Sequence, residues 1–117
     1  MAVIRIVTNI ATDKFASAKA FYSEVLGLSL VMNHGWIQTF AGEGSAAPQI
    51  SFASEGGSGT AVPDISVEVD NLDEVYQAAL AAGFAIEYGP VNEPWGVKRF
   101  YVRDPFDRLL NIVTHNN

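Results

Sequence analysis

The side chains with the most to offer chemically stand at alternate positions of short strand-like segments. In 48–54 Gln49 and Ser51 alternate with Ile50 and Phe52; in 63–70 Asp64, Ser66 and Glu68 alternate with Ile65, Val67 and Val69; in 108–114 Asn111 stands between Leu110 and Ile112. Successive side chains of a strand point to opposite faces, so each segment directs its apolar set to a core and its polar set to the other side. That other side is either a hydrated surface or the wall of a cavity. Trp36, Gln38 and Phe40 share one face of a further segment, and Trp95 follows a proline in a hairpin. Aromatic walls for a flat ligand are therefore available, each ring contributing about 1.5–3 kcal/mol when buried. For Trp36 and Phe40 a place in the core or at a subunit interface is the alternative.

Asp64 is the one catalytic candidate: inside an apolar cavity a carboxylate could act as a general base. No partner acid, nucleophile or oxyanion hole stands at a useful spacing, and holding a cationic or hydrogen-bonding group of a ligand is an equal use for it. The chain has no cysteine, which excludes thiolate metal sites, cysteine nucleophiles and disulfides. His34, in a turn, and His115, near the end, are expected to be solvated. Gly56-Gly57-Ser58-Gly59 lies between two strand-like segments with no helix after it, so it is neither a phosphate loop, nor a dinucleotide-binding turn, nor a hydrolase elbow.

The 117 residues, 49% apolar and 17% charged, suffice for one core and one domain. Thirteen acidic against seven basic side chains give a formal charge of −6, which repels phosphate backbones and anionic membranes. Nucleic acid and membrane are thus not expected as partners. No apolar run reaches the roughly 20 residues of a membrane span, and no secretory leader is evident, so a cytosolic protein is expected. Lys98, Arg99, Arg103 and Arg108 form a local cationic cluster, able to meet an acidic partner or an anionic ligand group, or simply to face water.

The elements that must position these residues repeat. Residues 3–10 alternate as a strand. A helix capped at Thr12 or Asp13 carries Phe15, Ala18, Phe21, Tyr22, Val25 and Leu26 at helical spacing and ends at Gly27. Strands at 28–33, 36–41 and 48–54 follow. After the flexible segment 55–61 the same order returns: a strand at 63–70, a helix opened by Asn71 and Glu74 in capping-box spacing and closed by Gly83, and strands at 84–89, 97–103 and 108–114. The reading is a single α+β domain of two βαβββ modules, 1–54 and 62–117, joined by a Gly/Ser connector. Each four-stranded sheet has one face for its helix and one face to cover, so the two together would enclose a cleft.

The FYSEVLGL stretch, the VEVDNLDEVYQAALAAGF unit and the closing EPWGVKRFYVRDPFDRLLNI resemble the vicinal oxygen chelate superfamily of glyoxalases, bleomycin-resistance proteins and dioxygenases, with the last stretch most similar to antibiotic-binding members. The resemblance spans nearly the whole chain and implies two curled βαβββ modules and a homodimer. Asp107 stands where relatives often carry glycine, which a left-handed aspartate can tolerate. Enzymes of the superfamily hold a metal with one ligand on each of four strands. The corresponding positions here are Arg5, Ile6 or Val7, then Gln49, Asp64 and Asn111, a set too poor in basic donors to repay dehydration of a divalent ion. The resemblance therefore implies a protein with no metal and no other cofactor, binding or sequestering a small aromatic or cationic molecule through Trp36, Gln38, Phe40, Gln49, Asp64, Trp95 and Asn111. The alternatives are a glyoxalase-type lyase, isomerase or dioxygenase with an atypical metal site, and an interaction module acting through sheet edges.

Overall fold

The computed structural model describes residues 3–116. They form two compact units, one of residues 7–62 and one of residues 63–116 with residues 3–6 of the first strand. The element order is β1 (Val3–Ala11), α1 (Phe15–Ala18) running on as a π-helical turn over Lys19–Ser23, β2 (Ser29–Asn33), β3 (Ile37–Ala41), β4 (Gln49–Ala53), β5 (Ile65–Val69), α2 (Leu72–Ala81), β6 (Ile86–Glu93), β7 (Val97–Arg103) and β8 (Leu109–His115). This is an α+β fold of two βαβββ repeats, as the sequence predicts. Among the described residues no helix is long and apolar enough to cross a membrane.

In the unit of residues 7–62 the strands lie in the order β2-β3-β4-β1, antiparallel except where β1 runs parallel to β4 with Asn9 beside Ser51 and Ile10 beside Phe52. Phe40 and Phe52 meet edge to face at 5.8 Å and pack on Ala18, with Phe15, Tyr22 and Ile50 around them. The helix expected from 13 to 26 is not uniform. Its amides at Glu24 and Leu26 bond five residues back, to Lys19 and Phe21. A π turn inserts one residue and offsets the stripe that follows by about 100°. Phe21, Val25 and Leu26, placed on the buried stripe by helical spacing, are accordingly 51–66% exposed.

The second unit repeats the arrangement as β6-β7-β8-β5, with β5 parallel to β8. Val69, Leu72, Phe100 and Ile112 form its core, with Val75 and Tyr76 of α2 above them and Tyr76 edge to face with Phe100 at 5.4 Å. Alternation sends Ser66, Glu68, Arg99, Tyr101, Asn111, Val113 and His115 to the face opposite α2. Asn71 occupies the N-cap position of α2, but its side chain accepts no backbone amide; its Nδ2 donates to the Glu74 carboxylate at 3.4 Å, so the capping-box spacing yields a side-chain pair. Gly27 and Gly83 close their helices at φ +78 and +86, as their positions in the sequence predict.

Two turns set the geometry of the polar face. Asp104 Oδ1 accepts from the amides of Phe106 and Arg108 at 2.8 and 2.9 Å, and Asp107 takes the left-handed φ of 64° that the turn requires. At Gly89, φ is +76° and a Cβ would stand 2.5 Å from the Arg99 carbonyl oxygen, so only glycine lets β6 approach β7 this closely. The pairing shifts register between Tyr88 and Val91 at that point, which brings both Tyr88 and Glu93 to Arg99.

Candidate functional site

The chemically richest part of the molecule is the face of the second unit opposite α2. At its centre Arg99, with a side chain 4% exposed, is locked to Glu93, 3% exposed, through Nε and Nη2, each 2.7 Å from Glu93 Oε2. Tyr88 donates its hydroxyl to the same oxygen at 2.9 Å, and Arg99 Nη1 donates to the Tyr101 hydroxyl at 3.0 Å. The guanidinium lies 5.4, 5.0 and 4.9 Å from the ring centres of Tyr88, Trp95 and Tyr101. A desolvated cation held by a carboxylate and three aromatic faces is a rigid construction, since every contact stabilises one orientation. Of the four cations clustered in the sequence, Arg99 is thus the one withdrawn from water; Lys98 and Arg103 pair with Asp73 and Glu87 at the surface. The hydrogen bond to Glu87 holds the Arg103 guanidinium above its ordinary pKa.

Asn111 lies between this cluster and β5, directly opposite Tyr101 on β7 and beside Ser66 on β5. Its Nδ2 donates to Ser66 Oγ at 3.1 Å. Its Oδ1 is buried with no hydrogen-bond partner among the described residues. A buried acceptor left without a donor costs about 1–3 kcal/mol; Asn71 Oδ1, at the start of α2, is in the same condition among the described residues.

Two strand positions along β5 from Ser66, Glu68 is gripped from both sides. Arg5 Nε stands 2.7 Å from Oε1 and His115 Nδ1 2.6 Å from Oε2. Alternation places Glu68 on the polar face and His115 is expected in water; the structure joins them, because parallel pairing sets Glu68 beside Val113 and His115 follows two positions on along the same face. No linear spacing signals a pair 47 residues apart.

The other candidates divide. Trp95 is half-buried against Arg99. Asp64 is exposed, and its Oδ2 accepts the Leu109 amide at 2.8 Å while its own amide donates to the Leu109 carbonyl, so it clips the start of β5 to β8. Gln49 belongs to the first unit and shares a face with Ser51 and Thr39, whose hydroxyls meet at 2.7 Å. Gln38 and Phe40 lie on the opposite, helix-facing side of that sheet, and Trp36 falls in the bend just before β3. Phe40 is fully buried among Phe52 and Ala18, where one step of alternation from Thr39 places it, and Trp36 stacks on His34. The sequence marks Arg99 only as one of four clustered cations, and nothing local singles out Glu93, Tyr88 or Tyr101. The available signal was the period of two running Val97-Arg99-Tyr101, on the same face as Asn111 once β7 and β8 are in register.

Residues 4–112 match the family model described as the Glyoxalase/Bleomycin resistance protein/Dioxygenase superfamily. The chain belongs to that superfamily. Solved structures agree at the level of fold. One described as an NAD-dependent benzaldehyde dehydrogenase from Legionella pneumophila superposes with a TM-score of 0.77 at 15% identity, covering 96% of this chain and 100% of that one. A superfamily member from Vibrio splendidus 12B01 gives 0.62 at 16% identity, over 94% and 97%. Methylmalonyl-CoA epimerase from Mycobacterium tuberculosis gives 0.60 at 17%, over 96% and 86%. No curated protein matches the chain.

Against the metal chemistry of the superfamily's enzymes, the aligned positions make a poor donor set. Asp64 spends one carboxylate oxygen on a backbone amide, Gln49 and Asn111 are neutral amides, and of Arg5, Ile6 and Val7 the first is a cation bound to Glu68 and the other two are apolar. Among the described residues no three His, Asp or Glu side chains are grouped to hold an ion. These residues do not fit a divalent cation.

Proposed function

We propose that this superfamily member binds and sequesters a small planar molecule, aromatic or cationic, with no resident metal, on the Asn111 face of its second unit. The observation that carries the reading is the buried, unpartnered Oδ1 of Asn111 beside Tyr101. A ligand N–H would satisfy that oxygen while the flat body of the ligand lies along aromatic side chains. The acidic balance of the chain favours a cationic over an anionic ligand. A cytosolic setting fits the same reading.

The test is calorimetric titration with proflavine, a planar cationic amine, against anthracene-9-carboxylate. Proflavine is expected to bind and the carboxylate not. Asn111→Leu is expected to weaken proflavine about tenfold, or ~1.4 kcal/mol, while raising the melting temperature by about 4 °C through removal of the orphan acceptor. Equal affinity in the two proteins would sink the reading.

The homodimer implied by family membership has a candidate surface on the first unit, where Phe21, Val25, Leu26 and Leu30 are 45–66% exposed. Val25→Asp is expected to convert a sedimenting dimer into a monomer with little loss of thermal stability; an unchanged sedimentation coefficient would remove this surface from consideration.

A further inference from the structure

We propose that Glu68 and His115 form a proton-transfer dyad that makes this face a general base for small carbon acids. The proposal rests on the reading that the Asn111 face holds a planar molecule, and adds chemistry to it. His115 Nδ1 is 2.6 Å from Glu68 Oε2; a carboxylate oxygen accepts, so Nδ1 donates in this contact, and the neutral imidazole of that tautomer carries its lone pair on Nε2. Glu68 is only 15% exposed and its other oxygen is held by Arg5 at 2.7 Å, so the carboxylate is anchored, while His115 is 51% exposed and open to a ligand. A carboxylate that orients an imidazole and stabilises the imidazolium formed on proton uptake is the working part of a base.

The placement supports the chemistry. Asn111, Val113 and His115 follow one another on one face of β8, about 13 Å from first to last. Val113 is buried and Arg99 stands opposite it, its charge already neutralised by Glu93. Arg99, Asn111 and Val113 are themselves buried, so this face meets a ligand at His115 on the exposed end of β8, where a docked flat molecule can present a C–H bond to Nε2. The charged groups around the imidazole are Glu68 and Arg5, with Lys98 on the neighbouring strand paired to Asp73. The step needs no co-reactant: the C–H bond breaks, the proton goes to Nε2, and the electron pair stays with the substrate, where it is delocalised or expels a leaving group.

5-Nitrobenzisoxazole is the probe. Loss of its C3 proton to Nε2 forms the nitrile as the N–O bond breaks, releasing a coloured phenolate. The wild-type chain is expected to accelerate this elimination about 100-fold over His115→Ala, within the range of positioned bases. Glu68→Gln, in which Glu68 acts as a positioning residue, is expected to lower kcat about tenfold with KM unchanged. His34→Ala is the control and should match wild type. Binding of the unreactive 3-methyl analogue is measured in parallel by calorimetry. Elimination that persists in His115→Ala, or a Glu68→Gln effect confined to KM, overturns the dyad. An analogue that binds without elimination of the parent compound overturns the dyad, as does the absence of both; the binding reading stands or falls separately, on the proflavine titration.

Discussion

Glu93→Ala is expected to cost the second unit about 3–5 kcal/mol, because it leaves the Arg99 guanidinium buried without its counter-charge. For a chain of 117 residues that corresponds to a fall in melting temperature of about 12–20 °C, a large share of the roughly 5–15 kcal/mol by which domains are stable. The loss has several parts. Arg99 Nε and Nη2 lose their shared acceptor, and the Tyr88 hydroxyl loses the same oxygen. The three rings around the guanidinium hold it in place, so it cannot swing out to water. Replacing both partners, as Glu93→Leu with Arg99→Met, is expected to recover most of the loss, since desolvation of two ions is removed together with their attraction. Denaturant titrations of the two variants decide the matter. A single variant within 1 kcal/mol of wild type would show that Arg99 reaches solvent or another acceptor.

Phe100→Ala is the second large effect, at about 3–5 kcal/mol. The ring is fully buried and touches both layers of the second unit: Ile112 beside it on β8, Val69 on β5, and Leu72 and Tyr76 on α2. Strands hold their backbone by pairing on both sides, so the sheet cannot collapse into the space, and the cavity term adds to the lost transfer energy. Phe100→Leu retains most of the volume and is expected to cost less than half as much. Urea unfolding followed by tryptophan fluorescence reads both, because Trp95 lies on the neighbouring hairpin. A loss below 2 kcal/mol for the alanine variant would mean that the ring is not the centre of this core.

Much of the fold was legible in the chain because its signals are local. Period-two alternation in PDISVEVD and in VKRFYVR, helical spacing after Asn71, and glycines at 27 and 83 each specify an element from its own residues. The repeated order then specifies the pairing, since a βαβββ unit brings its last strand parallel to its first. The π turn after Ala18 was not legible, for helical spacing cannot show where the ladder widens.

The candidate site divides along the same line. Sequence alone set the faces: Ser66, Glu68 and Asn111 on the polar side, Val67, Val69 and Ile112 on the core side. It also fixed the absence of thiols and the acidic balance. Only the tertiary structure decided which polar groups meet. The register shift at Gly89 turned Arg99 from a surface cation into a buried partner of Glu93, parallel pairing of β5 with β8 joined Glu68 to His115, and burial made Asn111 Oδ1 an acceptor in want of a donor. The physical reason is range. Propensity and alternation act over a few residues and can be read from neighbours, whereas desolvation and hydrogen-bond completion depend on which strands lie side by side.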